Sequence, residues 1–176
     1  MFYPWKEGDF MNAAQIHLVM LHFPIAGVFL GLLFLAWGLL KKSGGAKKAG
    51  LALFLISGLT ILPVFLSGEG AEEIVENKPL VTEAIIEEHE EAAERAFYIT
   101  LVLASLALAT LLAEKRQFRF ATTMSATTLA LGIVSAGLLA QAAHLGGMIR
   151  HDELRAGSVS LNPENGGDKD EKNDDD

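Results

Sequence analysis

The stretch 16-IHLVMLHFPIAGVFLGLLFLAWGLL-40 decides the fold. It runs for twenty-five residues without an acid, a lysine or an arginine. As a helix rising ~1.5 Å per residue, it exceeds the ~30 Å of a bilayer's hydrocarbon core. Its first turns nevertheless carry two polar, titratable side chains, His17 and His22. The apolar run makes this a membrane protein, and the histidines raise the question of what the membrane protein holds.

Three more apolar segments follow, at about 47–67, 92–113 and 119–148, against 13–40 for the first. The second, 49-AGLALFLISGLTILPVFLSG-68, carries Pro63 near its end. The third continues a charged helix, 82-TEAIIEEHEEAAERA-96, for which Thr82 followed by acids is a suitable start. The fourth is rich in Ala, Gly, Ser and Thr, residues that let helices approach closely. The expected fold is an all-α membrane protein, a four-transmembrane-helix up-and-down bundle over residues 13–155. An interfacial segment, 1–12, precedes it, and a disordered acidic tail, 156–176, follows it.

Charge sets the orientation. The connections 41-KKSGGAKK-48 and 114-EKRQFR-119 hold seven basic residues and one acid, Glu114. The opposite side carries 69-EGAEEIVE-76 and 87-EEHEEAAE-94. The positive-inside rule then predicts both connections in the cytoplasm and both termini outside. The opening 1-MFYPWKEGDF-10 lacks the basic start and cleavage site of a secretory signal. Its aromatics suit the headgroup level.

A net charge of −8, clustered as acids, argues against a nucleic-acid partner. The absence of cysteine excludes disulfides, thiolate metal sites, iron–sulfur clusters and covalently attached c-type haem. Any metal must be held by nitrogen and oxygen. No Ser/His/Asp arrangement, G-x-S-x-G, H-E-x-x-H, P-loop or G-x-G-x-x-G occurs, so neither a hydrolytic site nor nucleotide-driven transport is supported. Whether the chain is an enzyme stays open.

The topology brings the histidines to one end. Counted from the basic ends of their helices, His17, His89 and His144 each lie roughly 35 Å up, and His22 about 8 Å deeper. His17 lines up with Pro24, Gly31 and Gly38. His89 is followed by Ala93, Ala96, Thr100 and Ala104, and His144 by Ala140, Ala136, Gly132 and Thr128. Small stripes of this kind mark helix contacts. These three histidines are the expected ligands of a haem or a metal. His22 shares its face with Ala26, Phe29 and Leu33. It is expected to support the site by hydrogen-bonding a neighbour such as Ser67. Glu72, Glu73 and Glu88 are candidates to complete a histidine–carboxylate site or to orient a ring, and Arg95 and Arg150 to pair with those acids or with a cofactor's carboxylates.

The string His17-x4-His22-Phe23-Pro24-Ile25-Ala26 resembles the "HPxxVHFPIAL" opening of a bacterial membrane family, the domain of unknown function 2231 family, with Leu18 in place of the proline after the first histidine. The segments 67-SGEGAEE-73, 88-EHEEAA-93 and 144-HLGGMIRHDE-153 look like further motifs of its relatives. The resemblance covers about residues 14–155. It implies a compact four-span protein with recurrent histidines and supplies no activity.

Three functions fit these residues. A b-type haem between paired histidines would pass electrons between a quinol and a periplasmic acceptor, with His17 and His89 a diagonal pair and His144 a further candidate. A divalent transition metal on several histidines with Glu72, Glu73 or Glu88 would suit uptake, storage or sensing. A non-catalytic bundle would bind other membrane subunits through its Gly/Ala faces, with the histidines as structural, pH-sensitive hydrogen-bonders.

Overall fold

The computed structural model describes residues 12–76 and 81–150 of the chain. The interfacial segment up to Met11, the acidic tail and His151 lie outside these residues. Among the described residues there are six helices and no strand: α1 (Ala13–Met20), α2 (His22–Leu40), α3 (Gly44–Leu66), α4 (Gly68–Val75), α5 (Glu83–Lys115) and α6 (Ala121–Arg150). Four helical stretches are long and apolar enough to cross a membrane: Ala13–Leu40, which joins α1 to α2, then α3, α5 and α6. The protein is an all-α, multi-pass membrane protein.

The first span is not one continuous helix. It breaks at Leu21, three residues before Pro24, whose ring nitrogen has no hydrogen to give the carbonyl of Met20. Asn12 and Gln15 form a reciprocal capping box at the start of α1. Both basic connections are tight because α2 and α5 end alike. Ser43 N–H donates to Gly38 and Lys42 N–H to Leu39; Phe118 and Gln117 repeat the pattern on Ala113 and Glu114. This double closure needs a left-handed residue, and Lys42 (φ 52°) and Gln117 (φ 54°) supply it without glycine.

The spans form a ring, each packing on the next, with α2 and α6 closing it. The first and third spans therefore stand diagonally. Large side chains that are fully buried are few: Phe54, Leu35, Leu51, Leu103 and Val28. Phe54 reaches across the bundle from α3 to Gly31 of α2 and Gly132 of α6. Much of the remaining core is Ala, Gly, Ser and Thr. That is the composition expected where close backbone approach, not exclusion from water, holds helices together. Every buried polar side chain among the described residues has a partner. Thr100 meets Ser135 at 2.9 Å and Thr110 meets Thr128 at 3.0 Å, joining α5 to α6. Outward positions such as Leu33, Leu59 and Val102 are bulky and exposed, as a lipid-facing surface requires.

Gly50 shows how close the packing is. A Cβ there would lie 2.6 Å from the Leu35 amide nitrogen and 2.8 Å from the Gly31 carbonyl oxygen. Backbone cannot rotate away as a side chain can, so α2 and α3 would have to separate. Gly50→Ala is expected to lower stability by about 1–3 kcal/mol in equilibrium unfolding in mixed micelles. Gly137 meets nothing within 4 Å, and Gly137→Ala should be neutral or should gain up to about 1 kcal/mol of helix propensity.

Candidate functional site

Two histidines come together at the end of the bundle opposite the basic connections, and two do not. His17, on α1, points inward as its alignment with buried Pro24, Gly31 and Gly38 requires. Its Nδ1 lies 3.1 Å from the Val64 carbonyl and 3.0 Å from Ser67 Oγ, at the end of α3. His89 continues the inward face of α5, which runs through Ala92, Ala96, Thr100 and Leu103. Its Nδ1 lies 3.0 Å from the carbonyl of Ala142 on α6. The two rings are near enough to interact electrostatically.

These contacts fix the tautomers. A carbonyl oxygen only accepts, so each Nδ1 must carry the proton and donate it. In the neutral ring Nε2 then keeps its lone pair. Ser67 donates its own hydroxyl to Val64 at 2.9 Å, leaving its oxygen able to accept from His17. Gly146 makes the second contact possible. A Cβ there would stand 3.1 Å from Cε1 of His89, tighter than ordinary van der Waals contact, so the ring lies on the α6 backbone where a side chain would push it off.

His144 is elsewhere. It is exposed on α6, about 200° around the helix from buried Ala142 at ~100° per residue. Stepping back in fours from His144 drifts ~40° per step, so a line that starts on the lipid side reaches the core only at Ala136. The true inward face alternates steps of three and four through Ser125, Thr128, Gly132, Ser135, Leu139 and Ala142. His22 faces outward with Ala26, Phe29 and Leu33, and it does not support the site by bonding Ser67 as expected. Its Nδ1 lies 2.7 Å from Leu18 O on its own chain segment, since the ring stands on the exposed face.

Of the candidate acids, Glu72 is half-buried on α4, the helix that packs against α1. A hydrogen bond with Glu90 on α5, together with partial burial and the charge of Glu90, raises the pKa of Glu72 above the usual carboxylate value. Glu73 and Glu88 are exposed. Arg95 is also exposed; it donates to the Glu91 carbonyl at 3.0 Å and stands 3.7 Å from that residue's carboxylate. Arg150 is exposed at the last described position. Among the described residues, no three of His, Asp and Glu gather around a metal-sized point. Ser67 as the partner of His17, the Ala142 carbonyl and the Glu72–Glu90 pair were not legible in the sequence.

No family model, curated protein or solved structure matches the chain.

Proposed function

We propose that His17 and His89 bind b-type haem through their Nε2 atoms, and that the protein passes electrons between a membrane quinol and an acceptor on that side of the membrane. The observation that carries this reading is the donor set: two imidazoles on diagonal spans, each with Nδ1–H held by a main-chain carbonyl. Histidine ligands are oriented in this way by their second nitrogen. Haem iron takes four nitrogens from the porphyrin and needs only two from the protein. A bare zinc, copper or iron ion needs three or four protein ligands, so a pair of histidines suits haem better than the divalent-metal alternative. Small residues at Ala92, Ala96, Ala142 and Gly146 surround the layer. Bound haem would supply one-electron chemistry, and the chain would supply the axial nitrogens and their orientation.

One observation favours a second, structural role for His17. Val64 lies in the last turn of α3, where carbonyls run out of helix amides, and His17 satisfies it. The absorption spectrum of the purified protein separates the readings. Haem gives an intense Soret band that shifts on reduction; a metal without haem appears only in elemental analysis. A featureless spectrum with no bound metal would leave the histidines as helix ties and overturn the proposal.

We further place the chain in the domain of unknown function 2231 family, on the string from His17 to Ala26, and in the inner membrane of a bacterium. The connections at 41–48 and 114–119 then face the cytoplasm, and the histidine layer faces out. Reporter fusions at Ser43 and at the C-terminus are expected to report opposite sides. Cytoplasmic activity from the C-terminal fusion would reverse the orientation.

A further inference from the structure

We propose that an anionic phospholipid binds along the exposed face of α2, with one acyl chain in the groove lined by Leu33, Phe34 and Trp37 and its phosphate on Lys41. This site lies at the opposite end of the bundle from the histidines and does not depend on what they bind.

The argument starts from the side chains. Leu33, Phe34 and Trp37 are 65%, 42% and 56% exposed, yet they are not a smooth surface. Two rings and a branched side chain, at positions i, i+1 and i+4, leave an open groove between them that belongs to α2 alone. In a bilayer such a groove is filled by hydrocarbon. At its polar end stands a fixed cation. The Lys41 ammonium lies 5.2 Å from the centre of the Trp37 ring, held there by attraction to the face of the indole. Lys41 is therefore positioned, where a free lysine would wander.

Its charge is also unspent. Among the described residues Lys41 makes no ion pair, and the acid nearest in this end of the bundle, Glu114, is taken by Lys47. A lone ammonium above an apolar groove complements a phosphate above an acyl chain. From Lys41 down to Leu33 is eight residues, ~12 Å of helix, which a single fatty-acyl chain covers.

The test uses the full chain, purified, stripped of lipid and returned to mixed micelles with phosphatidylglycerol or phosphatidylcholine at equal mole fraction. Retained lipid is counted by native mass spectrometry. The wild-type protein should retain phosphatidylglycerol about fivefold better, the preference one lysine gives at an anionic surface. Lys41→Gln should abolish the preference. Lys42→Gln, one residue on and not over the indole, should keep it, and Trp37→Ala should lower retention of both lipids. Equal retention of the two lipids by the wild-type protein would overturn the proposal. So would a preserved preference in Lys41→Gln, or unchanged retention in Trp37→Ala. An equal loss in Lys42→Gln would show diffuse attraction to the whole basic end, and would overturn it as well.

Discussion

Replacing His89 by alanine should empty the proposed haem site, and His17→Ala should do the same. The Soret absorbance per protein is expected to fall by more than the roughly 10–100-fold that loss of a supporting contact causes, because an axial nitrogen itself is gone. His144→Ala should leave the site full, since its ring lies on the exposed side of α6. His22→Ala should also retain haem, because its ring bonds only Leu18 of its own segment and faces outward. Ser67→Ala keeps the Val64 acceptor and loses one of two partners of His17, so it should weaken binding within the 10–100-fold range. His17→Ala also removes a tie to the end of α3, so misfolding must be separated from loss of a ligand. Added imidazole can replace a missing ring but not the tie to a carbonyl across helices. Recovery of the Soret band on adding imidazole to His89→Ala and His17→Ala would identify both as ligands. Haem retained in His17→Ala and lost in His144→Ala would refute the pairing.

The spans were legible because hydropathy alone dictates them: the expected segments end within three residues of the observed helices, except that α5 begins at Glu83, with the charged helix expected to run into the third span. The division of the histidines was legible only in part. On the first span and α5 the sequence separates small from bulky faces, and His17, His22 and His89 are placed as that contrast requires. On α6 small residues lie on both sides; Ala126, Ala130, Gly137 and Ala140 are exposed while Gly132, Ala136 and Ala142 are not. Residue size therefore could not show which way His144 points. The helix α4 was read only as an acidic stretch just past the second span, because eight residues rich in glutamate have no apolar stripe long enough to announce a helix. Contacts made across the ring were not legible at all. His89 and Ala142, or Lys47 and Glu114, are far apart in the chain, and no local pattern pairs them.

The Lys47–Glu114 contact is the clearest case of what the sequence hid, and it leads to the largest expected effect on stability. The connections at this end read as basic loops facing the cytoplasm, yet the Lys47 side chain is only 18% exposed and that of Glu114 only 7%. Glu114 also accepts a hydrogen bond from Ser125 Oγ at 3.2 Å, so α3, α5 and α6 meet at one carboxylate. Each charge stands at the unfavourable end of its own helix. Lys47 is in the first turns of α3, near the positive pole of its dipole, and Glu114 is next to last in α5, near the negative pole. Each is tolerated because of the other. Glu114→Ala leaves a buried ammonium facing a positive helix end, and should cost about 3–5 kcal/mol in equilibrium unfolding. Lys47→Met keeps the volume of the side chain but strands the carboxylate, and should cost a similar amount. The double variant, Lys47→Met with Glu114→Leu, removes both charges from the wrong poles and leaves an apolar pair in their place. It should recover to within about 1 kcal/mol of the wild-type protein or exceed it, as replacing a whole buried pair often does. Single variants within about 1 kcal/mol of wild type would mean that water reaches these charges freely, and that this end of the bundle is held by its helix packing alone.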